Sequence, residues 1–345
     1  MLFEYFETDL NLQLIFGLIL GLLFGVAAQI SRFCLNRSVA AKNGPDFAGL
    51  AVWLTALGVA IIAVQIATTT GFAALEGHRY LSNDVPVIAI LTGGVMFGAG
   101  MVLTRGCVTR LTVLAATGNL RAVMVVVVFA ITAHAMLKGV LSPLRVGLGQ
   151  TTIDLPFPSL ASIQGAGFVI PIIILVTAFW LARRFNAAPL HLFLSVVIGL
   201  VVALGWVGTS TLLMDEFDPA PVQSLAFTLP WTESLFWTLA STALPAGFGV
   251  GLIGGVLVGA FLSAAARSEL SLVSFTDPRE TLRYGAGGIL MGAGGVLAGG
   301  CTIGAGLSGI STLSVAAILA LLSIVVGAVA VRFALSGNRA VQVGV

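Results

Sequence analysis

Charge is what this 345-residue chain has least of: Asp, Glu, Lys and Arg together make up 9% of it, against about 25% in an ordinary soluble domain. So little polar surface excludes a water-soluble fold and makes lipid the natural solvent. Cysteine is scarce as well. There are three, an odd count without C-x-x-C spacing, which argues against a disulfide framework or a zinc site of the usual kind. No G-x-x-x-x-G-K-[ST] run is present to cradle a nucleotide, so ATP-driven pumping by the chain alone is not expected, nor is any cofactor or metal. A net charge of +2 without a basic patch gives no reason to expect nucleic acid as a partner. A cleavable leader is not expected either. The opening MLFEYFETDL is acidic, and the first apolar run leads to Arg32 instead of a small-residue cleavage site.

What the chain does have is apolar length and glycine. Hydrophobic residues make up 58%, mean hydropathy is +1.08, and there are 42 glycines. A membrane-spanning helix takes about 20 apolar residues. Seven stretches of that kind lie near 12–33, 46–72, 121–141, 166–184, 189–208, 245–266 and 313–335. Two more, 86–117 and 284–312, are glycine-rich and interrupted around Arg105–Cys107 and Gly299–Cys301. The expected fold is an all-α integral membrane protein, a single transmembrane domain over 1–345 with about nine spans plus short broken or re-entrant helices. Lys and Arg near span ends favour the cytoplasm. Arg32, Arg37 and Lys42, then Arg121, the Arg183–Arg184 pair, Arg267, Arg279 and Arg283, and finally Arg332 and Arg339, place the N-terminus outside and the C-terminus inside. The acidic loop with Asp215, Glu216 and Asp218 then falls outside. Lys138 and Arg145 fit this scheme less well.

The interrupted stretches repeat each other. GGVMFGAGMVLTRGC (Gly93–Cys107) aligns without a gap to GGILMGAGGVLAGGC (Gly287–Cys301) at a shift of 194, with nine of fifteen positions identical. GLILGLLFG (17–25) aligns to GLIGGVLVG (251–259) at a shift of 234, with six of nine identical. Glycine at every fourth residue lets helix backbones approach closely. Chance similarity between apolar runs explains the short match more easily than the long one. The charge pattern makes the two interrupted stretches cross in opposite senses. The expectation is therefore a pseudo-two-fold inverted repeat, with one half at 12–141 (broken helix 86–117) and the other at 245–336 (broken helix 284–312). In transporters of this construction the site lies at the repeat interface.

The candidate site follows from the breaks. Cys107 and Cys301 occupy equivalent positions, each after a glycine where one half-helix ends and another begins. Irregular backbone at membrane depth is tolerated where it is buried in protein or lines a polar cavity, and the second half-helix points its positive end at the gap. A thiol is a small, polarizable group that stays mostly neutral at its usual pKa of about 8.5, and it both donates and accepts weak hydrogen bonds. The competing reading of any free cysteine is a small buried apolar residue. Cys34, ending the first span in SRFC, stands between the two readings, and its counterpart at the 234 shift is Ser268. Arg32 and Arg105 each precede a cysteine by two residues. Arg32 reads as interface anchoring. Arg105 reads as a charge inside the break, where burial is expensive and usually functional, or, since the second repeat has Gly299 there, as a residue of a vestibule. Arg110 is compatible with snorkelling to the interface. Gly106, Gly300, Gly304 and Gly306 shape the breaks, and Thr109, Thr302 and Ser308 offer hydroxyls near them. His78 reads as a loop residue. His134 and His191 have no carboxylate four residues away, and Gln29 and Gln65 read as helix–helix contacts.

SRFC at Cys34, GAGMVLTRGC at Cys107 and above all LAGGCTIGAGLSGISTLS around Cys301 resemble the YeeE/YedE family of bacterial inner-membrane proteins, which includes thiosulfate transporters. The resemblance implies an hourglass-shaped helical protein with inverted halves and short helices dipping toward its middle. It also implies that Cys34, Cys107 and Cys301 line the path and pass thiosulfate along by S–H hydrogen bonds. Arg32, Arg105, Gly106, Gly300, Thr302 and Gly304, read from the breaks themselves, complete the expected pathway. Some relatives work beside, or fused to, a sulfur carrier of the TusA type. The chain ends at Val345 without such a domain, so that partner would be separate. Uptake of thiosulfate across the bilayer is the leading expectation. Transport of another inorganic sulfur or selenium compound stands behind it. From another class comes a membrane sulfur-transfer protein using a cysteine persulfide, which needs an activated thiolate. Arg105 alone offers that. A structural subunit with incidental cysteines is the remaining reading.

Overall fold

The computed structural model describes residues 2–40, 44–75, 77–214 and 221–342, with side chains described from Leu12 to Leu335. Lys42 and the acidic loop at Asp215, Glu216 and Asp218 lie outside the described residues, as do the side chains of Arg339 and of the acidic N-terminal segment. The fold is helical, with one two-stranded antiparallel sheet pairing β1 (Asp84–Val85) to β2 (Ile153–Asp154). Among the described residues eight helices are long and apolar enough to cross a membrane. The interrupted stretch at 284–312 falls short of the nine expected because its helix begins well before the apolar run, at Pro278, and takes in Arg279, Glu280 and Arg283. Lipid-facing character is clearest on α8 (Ala166–Arg184), whose Ile173, Val176, Phe179 and Trp180 are all exposed. In water that face would be untenable.

Close glycine packing organises the interior. In α1 (Leu2–Ser31) and α11 (Phe248–Ala266), Gly17, Gly21 and Gly25 face the backbone of Phe248, Leu252 and Val256, while Gly251, Gly255 and Gly259 face Leu14, Leu18 and Leu22. Adding 234 to one set of contacts gives the other. The short sequence match is thus a pair of helices that pack on each other, each using the same ridge. A second pair behaves alike at the 194 shift. In α4 (Val87–Leu103) and α12 (Pro278–Leu297), Gly100 faces Gly287 and Met291, while Gly294 faces Gly93 and Phe97. A Cβ at these positions would overlap a neighbouring backbone, which is why glycine holds them. Around this centre, α4 also packs on α13 (Val315–Gln342), α12 on α6 (Leu120–Lys138), and α3 (Phe47–Thr69) on both α8 and α9 (Pro189–Val207).

The helices that lead into the two breaks end identically. Thr104 caps α4 with its N–H bonded to Gly100 O and Val102 O, and Ala298 caps α12 with its N–H bonded to Gly294 O and Val296 O. The next residue is left-handed in both: Arg105 at φ 60 and Gly299 at φ 74. A left-handed residue stops a helix and turns the chain, and glycine is its usual occupant. After the turn the copies part. The first forms α5 (Val108–Ala116), whereas the second forms a π-helix over Gly304–Gly309. Each return is clamped by a distant loop. Leu120 N–H bonds Val273 O at 2.8 Å, and Val315 N–H bonds Pro158 O at 3.0 Å.

Candidate functional site

Cys107 is the N-cap of α5 and is buried, as is Cys301, which follows the second turn. Cys34 sits in the short gap between α1 and α2 (Leu35–Ala40) and is half-buried. The structure brings the three together. The Cys34 and Cys107 thiols interact directly, and the Thr302 hydroxyl acts on Cys107. Thr302 Oγ1 nevertheless has no full hydrogen bond, and neither has Thr109 Oγ1, although both are buried. Thr302 follows Cys301 in the chain, so the chain of contacts runs Cys34, Cys107, Thr302, Cys301. The Cys301 sulfur accepts the Gly304 N–H at 3.3 Å and lies in the electrostatic reach of Tyr80.

A cavity opens at each end of this chain. Beyond Cys301 a space of about 370 Å³ is lined by His78, Arg79, Tyr80, Trp206, Ser224–Ala226, Gly304 and Ser308, among others. Its walls are tied by hydrogen bonds. Tyr80 Oη donates to Gly299 O at 3.1 Å, Trp206 Nε1 to Ser308 O at 3.2 Å, and Ser308 Oγ to Leu225 O at 2.6 Å. The π-helix supplies the acceptor at Ser308, and such segments recur at functional sites. His78 Nδ1 accepts the Tyr80 N–H at 3.2 Å, and its ring meets Trp206 edge-on at 4.9 Å. Burial, with Arg79 adding to it, lowers the His78 pKa from its ordinary 6.5 to about 4, so the ring is neutral near pH 7.

At the Cys34 end the lining changes character. A cavity of about 430 Å³ is bounded by Arg32, Cys34, Asn36, Arg37, Arg105, Arg110, Arg283 and Arg332 together with a few apolar residues, and a smaller one of about 220 Å³ brings His191 beside the same cysteine. None of the described residues lining the larger cavity is a carboxylate. Glu280 stands behind its wall, 3.0 Å from Arg121, 3.8 Å from Arg283 and 4.0 Å from Arg105, and Asp46 pairs with Arg37. The two cavities lie toward opposite ends of α12: Arg283 lines one, and Tyr80, which lines the other, bonds Gly299 O just past the helix. The helix from Arg283 to its end at Leu297 spans about 21 Å.

Several expected roles change. Arg105 is not a buried charge within the break: its side chain is 60% exposed at the cavity rim, because it occupies the left-handed turn. Arg32 is likewise exposed, with φ 53. Gly106 has room for a side chain, the nearest atom to an added Cβ being 3.6 Å away, whereas Gly300 would meet Ala305 N at 2.7 Å. Gly304 abuts Ala226, and Gly306 abuts Leu321. Gln29 and Gln65 tie segments together, to Glu269 at 3.1 Å and to Ser311 O at 3.3 Å, and His134 stacks on Phe236. Sequence reasoning passed over Tyr80, Trp206 and Asn36, which carry no motif, and set Arg110 aside as an interface residue. Its place one helical turn into α5 after Cys107 was the available signal.

Lipid-facing helices around a run of three thiols, with a cavity at either end, define a multi-pass integral membrane protein of the transport class. The chain belongs to the YeeE/YedE sulphur transport family, which residues 24–330 match, and is accordingly a transporter and not an enzyme. It is similar to the thiosulfate transporter TsuA of Spirochaeta thermophila, 28% identical over 335 residues covering 90% of this chain and 96% of the relative. It is also similar to the thiosulfate transporter TsuA of Escherichia coli, 28% identical over 323 residues covering 84% of this chain and 86% of that relative.

Proposed function

We propose that the protein takes up thiosulfate across the bacterial inner membrane, with the N-terminus outside, the C-terminus inside, and the arginine-lined cavity facing the cytoplasm. The observation that carries this reading is the contact chain Cys301–Thr302–Cys107–Cys34 joining a cavity of low charge to a cationic one. Polarizable sulfur groups hold a soft, sulfur-terminated anion weakly enough to let it pass, and they offer less to sulfate, whose exterior is all hard oxygen. Arg32 and Arg105 act at the rim, while Gly300, Gly304 and Thr302 hold the second break in shape. Gly106 contributes a flexible turn. The halves at 12–141 and 245–336 supply one break each. A separate sulfur carrier of the TusA type is the natural recipient on the cytoplasmic side.

The deciding experiment is uptake of labelled thiosulfate into liposomes holding the purified protein alone, with sulfate as control. Accumulation of thiosulfate over sulfate that disappears in Cys107→Ala and Cys301→Ala, with both variants still folded, supports the reading. Equal entry of the two anions, or full uptake by both variants, overturns it.

A further inference from the structure

The relay accounts for the thiols, and Arg32 and Arg105 stand at the rim, but Arg110 and Arg283 are left without a task. Positive charge at a cytoplasmic span end is ordinary. An arginine whose guanidinium is buried and unpartnered is not, because such a group sacrifices hydration without recovering it in hydrogen bonds. One nitrogen of the Arg110 guanidinium is in that position: its Nη1 is buried and has no hydrogen-bond partner. Arg110 lines the larger cavity on the same wall as Cys34, and it is electrostatically coupled to both Cys34 and Cys107. Arg283 faces the same space from α12, and its Nε is also buried without a partner. The Asn36 Oδ1 is a third orphan beside them. Glu280, shared among Arg105, Arg121 and Arg283, offsets at most one of these charges.

We infer that this cavity is an oxyanion-binding site in which Arg110, helped by Arg283, holds a divalent anion next to Cys34. Guanidinium groups suit this task because their planar fork meets two oxygens of one anion. The first N–H groups of α5, from Val108 to Arg110, add donors at the same end. The inference rests on the proposed function and adds a direction to it. Thiols pass the anion along, and the arginine site collects it at the cytoplasmic end. A tetrahedral oxyanion such as thiosulfate or sulfate fits the donor set, so selectivity between the two belongs to the thiols upstream and not to this cavity.

The test needs no transport. Purified full-length protein is treated with a negatively charged and, separately, a positively charged methanethiosulfonate reagent, and modification of the Cys34 peptide is timed by mass spectrometry. The ratio of the two rates reports the field at Cys34 and cancels any change in the thiol's own reactivity. The anionic reagent is expected to react faster by on the order of tenfold at low salt, and millimolar thiosulfate or sulfate is expected to protect Cys34. In Arg110→Gln the ratio falls several-fold and protection is lost. Arg110→Lys keeps the ratio and loses protection. Arg283→Gln lowers the ratio by itself, which keeps the test valid should Arg110→Gln fold poorly. A ratio near one in the native protein, or protection unchanged in Arg110→Gln and Arg283→Gln, overturns the inference. If liposomes take up no thiosulfate while the charge ratio and protection stand, the anion site holds and the substrate reading fails.

Discussion

The two breaks have one backbone plan and two chemistries. Both leave a crossing helix through the same cap and a left-handed residue, and both place a cysteine two positions later. Around Cys107 the plan carries Arg105 and Arg110 and opens on a cationic cavity. Around Cys301 it carries Gly299 and Gly304 and opens on a cavity whose histidine is neutral. Symmetry fixes where the thiols stand, and the residues that depart from it decide what each thiol faces.

The sharpest way to break this comparison is to remove a thiol. Cys107→Ala and Cys301→Ala should each lower thiosulfate uptake by more than about 100-fold, since either loss interrupts the same chain of contacts. Retained uptake in one of them, measured with labelled substrate in liposomes, would make the two breaks functionally unequal. The shared packing is tested next. Gly255→Ala places a methyl group against the Leu18 carbonyl and should cost about 2–3 kcal/mol, read as a lower thermal midpoint. Gly254→Ala, with nothing within 4 Å, should leave the midpoint unchanged.

Acid comes third. The depressed His78 pKa means that the unfolded chain takes up the proton more readily than the native one. The stability this group contributes is therefore complete above pH 6.5 and drains away as pH falls toward about 4. His78→Gln should flatten that part of a pH–stability curve. The smallest effect belongs to the turns themselves. Gly299→Ala should cost about 1 kcal/mol, and Arg105→Gly should gain about as much, because a non-glycine residue is strained where φ is positive. Opposite signs in thermal unfolding confirm the common cap.

Much of this plan was legible in the residues. The fifteen-residue repeat was readable because a cap and a left-handed turn are local features, written in consecutive positions. Its glycines were readable as contact points, and the weaker match at the 234 shift became intelligible only when α1 and α11 were seen to face each other. Arg105 left two readings open, a charge buried in the break or a vestibule residue, and the turn that follows α4 puts it at the cavity rim. His78, Tyr80, Trp206 and Ser224 come from four separate places in the chain and meet only in the folded molecule, so no spacing could announce them. Arg110 resembled any arginine near a span end until its Nη1 proved to be buried without a partner.

The reciprocal glycine contacts have a further meaning. An interface in which each partner uses the same patch is what two identical chains make, and this chain makes it twice with itself. Two identical partners would carry every charge in duplicate, one copy at each break. The Arg105–Gly299 pair is where this chain escapes that rule: one matched position, charged at a single break.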